Sequence, residues 1–391
     1  MIYLDNTATT KSDNLVINEI NYYLHNYWKN PSSVYADKES KCIDKAKSTI
    51  KHYFNVPINT TDIIFTSGAS ESNTLALQGF CQRSIIDNVI PIIITTGFEH
   101  KSISLCVDTL NKLFPQLIVH HLTTINYTVT SYELKQLLKK YQNIRYRILV
   151  SIQFVNNEIG VIQNINQFSN IVANYQNAYF HTDVTQGINL WNNYPVSMKN
   201  IDMLSCSGHK IGTPKGIGFL YKRNDVPLIS CIYGTQMNGL RGGTENLPYI
   251  MGIKKTFELL QEKKKKNEIK SEFNYILSLS EKFKDKFKKL NCTVIANTVK
   301  TSPYICSVVL PEGISGESML HWLSTSDIYI STGSACNSHL DVPSQVLLNF
   351  DFTEDEARRV IRLSLSSKIT ESSCNKFFIE FEKGLKLLND F

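Results

Sequence analysis

From about residue 60 the chain alternates short apolar, β-rich runs with longer amphipathic stretches. The runs that predict strands are Asp62–Thr66, Ile90–Thr95, Leu117–His121, Arg147–Ser151, Ala178–Asp183, Asp202–Ser205 and Gly218–Tyr221. The stretches that predict helices between them are Glu71–Arg83, Ile103–Phe114, Ser131–Tyr141 and Asn166–Asn177. Alternation of this kind indicates a mainly parallel sheet covered by helices on both faces. Ligands bind to such sheets beyond the carboxyl ends of the strands.

After about residue 250 this alternation stops. The Lys/Glu-rich amphipathic segment Ile253–Leu290 predicts one long linking helix. Short strands are then predicted at Ile305–Leu310, Ile328–Ile330 and Val360–Leu365, with helical segments between and after them. This part of the chain therefore predicts a smaller α+β domain.

Composition and charge narrow the class of protein. With 391 residues, of which 42% are hydrophobic, the chain can bury large cores, which excludes disorder as its main state. The net charge of +6 is mild, and we interpret the one dense basic run, Lys263–Lys266, as a solvated helix face. We therefore expect no direct nucleic-acid partner. No apolar stretch is long enough to span a membrane, and the start MIYLDNTATT does not have the pattern of an export signal, so we expect a cytoplasmic protein.

The nine cysteines are scattered and contain no Cys-x-x-Cys pair. They therefore predict neither a compact metal site nor a disulfide framework. Cys336 differs from the others because it lies in the polar stretch Ser334–His339, which has no apolar periodicity. An accessible, reactive thiol is the better interpretation of a cysteine in that context.

Polar residues cluster where predicted strands end. Asp183 ends one strand and Gln186 follows it, while Ser207–Lys210 forms a small-residue turn that presents a lysine. Small and hydroxyl residues in Thr66–Asn73 stand where a strand becomes a helix, a place that favours phosphate binding. Each feature alone is more typical of a helix cap or an ordinary turn. Together and in this order, a lysine, a strand-end acid and a phosphate cup indicate pyridoxal 5′-phosphate.

The sequence also resembles a known family along nearly its whole length. The motifs that carry the resemblance are Tyr3–Thr10, Phe65–Asn73, Glu99–Lys101, Val155–Gly160, His181–Gln186, Ser207–Lys210, Arg241–Asn246, Thr332–Cys336 and Ile361–Ser364. They resemble cysteine desulfurases of the NifS/IscS type, which have the class V aminotransferase-like fold. The resemblance implies the PLP-dependent transferase fold type I, with a mainly parallel seven-stranded sheet in a large domain and a smaller α+β C-terminal domain.

The resemblance also implies how the chain is divided. It places an N-terminal arm at residues 1–15, packed against the small domain and the active site. The large cofactor-binding domain would cover residues 16–256 and the small domain residues 257–391. A loop at about 333–345 would carry the catalytic cysteine.

The resemblance assigns roles to individual residues. It implies that Lys210 binds the cofactor covalently and moves the substrate's Cα proton, that His100 stacks on the cofactor ring, and that Cys336 is catalytic. The residues it assigns to the cofactor are Ala69, Ser70, His100, Asn157, Asp183, Gln186, Ser207, His209, Lys210 and Thr244. Thr244 would come from the partner subunit of a homodimer. Arg362 and Asn157 would bind the substrate carboxylate, and no metal is implied.

The activity implied is removal of sulfur from L-cysteine, giving L-alanine and a persulfide on Cys336. An acceptor protein would take the sulfur for iron–sulfur cluster assembly or for thiolation of tRNA, a cofactor or DNA. A selenocysteine lyase, an aminotransferase or a kynureninase-like enzyme would keep Lys210 and Asp183 but would not need Cys336. A non-catalytic interaction subunit would need none of these groups.

Overall fold

A computed structural model describes residues 1–333 and 342–389 of the chain. Within those ranges the α-helices are α1 Asn14–Asn26, α2 Asp37–Tyr53, α3 Ala69–Ile86, α4 Lys101–Leu113, α5 Ser131–Lys140, α6 Ile165–Val172, α7 Leu247–Lys265, α8 Glu268–Lys289, α9 Gly316–Ser324, α10 Gln345–Leu348, α11 Glu354–Arg358 and α12 Glu371–Asn389. The strands there are β1 Ile2–Tyr3, β2 Thr61–Thr66, β3 Ile90–Thr96, β4 Ile118–Leu122, β5 Thr124–Ile125, β6 Thr128–Val129, β7 Tyr146–Ser151, β8 Ala178–Asp183, β9 Met203–Ser207, β10 Gly218–Arg223, β11 Thr293–Val294, β12 Ile305–Val309, β13 Ile328–Tyr329, β14 Ser331–Thr332 and β15 Val360–Ser364.

The main sheet has seven strands in the order β2-β10-β9-β8-β7-β3-β4. The strands from β9 to β4 run parallel to one another, while β10 is antiparallel to both of its neighbours. Each of the seven strands predicted from the alternating pattern overlaps a strand of this sheet. The predicted fold class, with its mainly parallel seven-stranded sheet, is confirmed.

The inner strands of this sheet are apolar on both faces. Ile92, Ile93 and Ile94 of β3 follow one another and are all completely buried. Consecutive residues of a strand point to opposite faces, so burial of all three requires a layer of structure on each side. This is why the strands are continuous apolar runs rather than alternating ones.

A second sheet and a second core lie in the C-terminal part of the chain. Its four strands are antiparallel in the order β11-β12-β15-β14. Phenylalanines of α8 and α12 fill the core beneath it, with Phe283 and Phe377 rings 5.5 Å apart. The start of the chain joins this core, because β1 pairs in parallel with β13 and Leu4 is buried in the same cluster.

The prediction of one linking helix over Ile253–Leu290 is wrong. The structure has two helices there, α7 and α8, and α7 begins at Leu247, earlier than predicted. The chain breaks at Asn267, which has the left-handed backbone angles φ 58° and ψ 14°. Asparagine enters this conformation more easily than most residues, so a helix can end without Gly or Pro and the amphipathic pattern does not reveal the break.

The boundaries 1–15, 16–256 and 257–391 stay predictions. Residues 334–341, most of the predicted cysteine loop at about 333–345, lie outside the described residues. No helix in the described ranges is long and apolar enough to cross a membrane.

We expect Phe377→Ala to lower the free energy of unfolding by about 3–5 kcal/mol, because it removes a completely buried ring from the second core. Ile379→Ala on the same helix is the matched control, since Ile379 is 56% exposed and its loss should change stability by no more than about 0.5 kcal/mol. Urea unfolding followed by tryptophan fluorescence and circular dichroism measures both. Equal losses in the two variants would contradict the assignment of this core.

Candidate active site

The acid and the lysine predicted from the sequence lie at one edge of the main sheet. Asp183 is the last residue of β8 and Ser207 the last of β9. The two strands are parallel neighbours, with Asp183 opposite Ser205. Lys210 follows β9 within a single 3₁₀ turn. The carboxyl ends of parallel strands meet at the same edge, so the fold itself places the acid beside the lysine-bearing turn.

The Asp183 carboxylate is almost completely buried but has hydrogen-bond donors on both oxygens. Asn73 Nδ2 donates to Oδ2 over 2.8 Å, and the Thr185 backbone N–H donates to Oδ1 over 2.9 Å. A carboxylate only accepts hydrogen bonds, so these two N–H groups offset the water that burial removes.

His100 stands at the N-cap of α4 and takes the place of the usual Ser or Asp. Its Nδ1 accepts the Ser102 backbone N–H at 3.1 Å and lies 2.8 Å from the Ser102 hydroxyl oxygen. Burial lowers the pKa of His100; the charge of Asp183 opposes this and the charge of Lys210 adds to it. Burial and the Lys210 charge thus favour the neutral form of the ring.

Backbone carbonyls of the N-terminal segment hold the Lys210 amine. Its Nζ donates to Thr7 O at 2.5 Å and to Ala8 O at 2.7 Å. Gln186 Nε2 donates to the same Thr7 carbonyl at 3.0 Å. Sequence reasoning missed these contacts because a carbonyl carries no side-chain signature. The motif Tyr3–Thr10 was the only signal that this segment belongs to the site.

The predicted phosphate cup is the uncapped start of α3. No side chain caps this helix, whose N-cap is Gly68. Ser207 lies beside it, with its Oγ 3.5 Å from where a Cβ on Gly68 would stand. A Cβ on Gly218 of β10 would come within 2.6 Å of the Gly68 Cα. The absence of a side chain at Gly218 therefore lets the backbone at Gly68 lie close to β10. Ala69 and Ser70 form the first turn, where helix N–H groups can bind an anion.

Two further predicted cofactor residues differ in their surroundings. The His209 Nδ1 lies 3.2 Å from the Thr9 hydroxyl oxygen. Burial, together with the charge of Lys210, lowers the pKa of His209 to about 4. Thr244 is exposed in the loop before α7. Its contact with the cofactor across a dimer stays a prediction.

Arg362 on β15 reaches the site from the second sheet. It is 4% exposed, and its Nη2 and Nη1 donate to Asp5 Oδ1 at 3.0 Å and to Asn157 O at 2.9 Å. Among the residues that the structure describes, its buried Nε has no acceptor and the buried Asn157 Oδ1 has no donor. Such unpaired groups are costly in a protein interior, and a bound carboxylate would supply the acceptor that Arg362 Nε lacks.

Glu158 holds the chain that follows residues 334–341. Ser344, the N-cap of α10, donates its hydroxyl to Glu158 Oε2 over 2.5 Å. Burial raises the pKa of Glu158 to about 7, although the Ser344 hydrogen bond and the Arg362 charge act in the other direction. Cys336 lies outside the described residues, so this anchor is the nearest described contact after it.

These contacts form three groups that meet at the N-terminal segment. Asp5 pairs with Arg362, the Thr7 carbonyl joins Lys210 and Gln186, and Thr9 contacts His209. Asp183 and His100 form the remaining part, joined by hydrogen bonds through Asn73 and Ser102. An amine, a buried carboxylate and an uncapped helix start are the groups that pyridoxal 5′-phosphate needs, and the residues present fit it.

Comparisons with known proteins agree with this geometry. A family model described as aminotransferase class V matches residues 2–377. A putative cysteine desulfurase IscS 1 of Bacillus subtilis is 33% identical over 93% of each chain. A solved NifS-like protein superposes with a TM-score of 0.85 and 27% identity over all of both chains. A structure titled SspA in complex with cysteine superposes with a TM-score of 0.76 and 27% identity, over 95% of this chain and 100% of that one.

Glu158 should contribute stability that is lost as the pH rises from about 4.5 to about 7, because folded Glu158 binds its proton more tightly than unfolded Glu158, whereas His209, with its lowered pKa, acts in the opposite direction. Glu158→Gln keeps an acceptor for the Ser344 hydroxyl but removes this titration. Between about pH 4.5 and 7, the variant should therefore lose less unfolding free energy than the wild type, by on the order of 2 kcal/mol. Glu312→Gln, at an exposed position, is the control. Urea unfolding at a series of pH values measures the effect. Parallel stability curves for wild type and Glu158→Gln would contradict it.

Proposed function

The chain belongs to the class V aminotransferase family, and we propose that it is a pyridoxal 5′-phosphate-dependent cysteine desulfurase. The observation that carries the proposal is that Lys210, Asp183 and His100 meet at one sheet edge, with Arg362 brought in from the second sheet. A chain that served only as an interaction subunit would have no physical need to bury these groups together.

The cofactor, when bound, supplies an electron sink for the bonds at the substrate Cα. Asp183 would hold the positive charge of its ring nitrogen, and Gln186 and Asn157 would bind polar atoms of the ring. Ala69, Ser70, Ser207 and His209 would hold the phosphate, with Thr244 added by a partner subunit. Lys210 would bind the cofactor covalently and, once displaced, move the Cα proton. The carbonyls of Thr7 and Ala8 keep its amine oriented in the site.

The substrate is L-cysteine, bound through its carboxylate by Arg362 and Asn157. The unpaired Arg362 Nε supports this assignment, since a carboxylate can accept its hydrogen bond, whereas the unpaired Asn157 Oδ1 is an acceptor and leaves only the Asn157 Nδ2 to donate to a carboxylate. A His100 ring whose neutral form is favoured can accept a proton, which suits a group that shuttles protons beside the ring.

Cys336 would accept the sulfur. Its thiolate attacks the substrate sulfur, the carbon–sulfur bond breaks, and a sulfur–sulfur bond forms on the enzyme. The substrate carbon gains a proton and leaves as L-alanine, so atoms and electrons balance without an outside oxidant. The persulfide then passes to an acceptor protein for iron–sulfur cluster assembly or another thiolation.

We place the enzyme in the cytoplasm as a homodimer. Two large exposed side chains in the short segment between α1 and α2 support self-association, since Trp28 is 79% exposed and Tyr35 is 74% exposed.

The first prediction for this function concerns a single turnover. Incubating cofactor-loaded protein with L-cysteine should release one alanine per site and add one sulfur to the peptide that contains Cys336. Cys336→Ala should abolish the added sulfur and the alanine, and Cys42→Ala, which removes a half-buried cysteine, should not. Amino-acid analysis and peptide mass spectrometry measure both products.

Alanine release that survives in Cys336→Ala would favour a selenocysteine lyase or another enzyme of this fold. Protein that binds no cofactor would favour the non-catalytic subunit.

A second prediction concerns the substrate carboxylate. Arg362→Gln should lower kcat/KM for L-cysteine roughly 10- to 150-fold, mostly through KM, because it removes hydrogen bonds to a charged group. Arg83→Gln, which removes an arginine paired with Asp87 on the surface, should leave both constants unchanged. Steady-state alanine formation measures the two variants. An unchanged KM in Arg362→Gln would assign the carboxylate to another residue.

A further inference from the structure

Asn73 lies between the two groups that face the cofactor. It belongs to α3, is completely buried, and uses both N–H bonds of its amide. One donates to Asp183 Oδ2 at 2.8 Å and the other to Ser102 Oγ at 2.9 Å. Its own Oδ1 has no hydrogen-bond partner within residues 1–333 and 342–389. The Asn73 amide therefore directs its N–H groups at Asp183 and Ser102, even though no described residue donates to its oxygen.

The Asp183 carboxylate fixes that orientation. Carboxylate oxygens only accept, so a flipped Asn73 amide would place oxygen against oxygen at 2.8 Å. The other Asn73 N–H must then point at the Ser102 hydroxyl oxygen. That oxygen accepts from Asn73, so its own proton is directed to the remaining acceptor in reach, His100 Nδ1 at 2.8 Å. All three hydrogen bonds thus have a single direction.

His100 Nδ1 receives two donors as a result. The Ser102 hydroxyl and the Ser102 backbone N–H, at 3.1 Å, both point at this nitrogen. A proton on Nδ1 would meet the backbone N–H head-on, and that group cannot rotate away because it belongs to the first turn of α4. A neutral ring in this position therefore carries its proton on Nε2.

We propose that Asn73 and Ser102 are positioning residues, which carry a directed hydrogen-bond chain from Asp183 to His100 and hold His100 as the neutral Nε2–H tautomer. The resemblance gives neither residue a role, although Asn73 ends the motif Phe65–Asn73. The consequence for catalysis rests on the proposed function, because there His100 exchanges protons at Nε2. The tautomer itself does not depend on it.

Nitrogen-15 NMR of the full chain with labelled histidine tests the proposal, both without cofactor and loaded with pyridoxal 5′-phosphate. The His100 signals are assigned by their loss in His100→Asn. In the wild type, Nδ1 should have the shift of an unprotonated ring nitrogen and Nε2 that of a protonated one. Ser102→Ala removes one donor to the unprotonated nitrogen, so the measured pKa of His100 should rise by about 0.5 to 1.

Three further variants separate positioning from general damage. Ser102→Thr keeps the hydroxyl and should restore the wild-type pKa of His100. Ser104→Ala, on the same helix, should not change it. Asn73→Ala should raise it, and Asn73→Ala with Ser102→Ala should match Ser102→Ala alone, because Asn73 acts through the hydroxyl.

Three results would overturn the proposal. They are a proton on His100 Nδ1 in the neutral wild-type ring, an unchanged pKa in Ser102→Ala, and additive effects in the double variant. A wild-type spectrum as expected, together with no alanine from L-cysteine, would leave the hydrogen-bond chain standing and refute the desulfurase function instead.

Discussion

The burial of Asp183 is the constraint on which the rest of the site depends. A carboxylate at the end of an inner strand loses most of its water, and the protein must supply donors in its place. Thr185 supplies one from the backbone, and Asn73 supplies the other from α3. The Asn73 amide must direct an N–H group at Asp183, and among the described residues its oxygen has no partner. The same orientation directs the other N–H group at Ser102 and so determines the direction of the hydrogen bond between Ser102 and His100.

The N-terminal segment joins the two hydrophobic cores at this site. Ile2 pairs with Ile328 and packs in the second core, while Thr7 accepts hydrogen bonds from Lys210 and Gln186 at the edge of the main sheet. A shift of one core against the other would therefore strain the carbonyls that hold the lysine. The candidate site thus lies where this segment contacts both the main sheet and the second core.

The parts of this arrangement that could be predicted from sequence are those with a local signature. The buried strands were found because runs such as Ile92–Ile94 are apolar on both faces, and Lys210 and Asp183 because they follow such runs. The break at Asn267, the carbonyls of Thr7 and Ala8 and the Asn73–Ser102 contact have no such signature, since each depends on which distant segments the fold brings together. The family resemblance supplied the roles of Arg362 and Cys336, which spacing alone did not.

The pairing of Arg362 shows how the site can select one carboxylate. Two of its donor groups are already used, on Asp5 and on the Asn157 carbonyl, and these contacts fix the plane of the guanidinium group. The buried Nε has no acceptor in the part of the chain that the structure describes. A substrate carboxylate that pairs with Nε would meet a guanidinium group that is already ordered by its other contacts. Less side-chain entropy would therefore be lost on binding. On the proposed function, Asp5 would contribute to substrate binding through Arg362 rather than compete with the substrate.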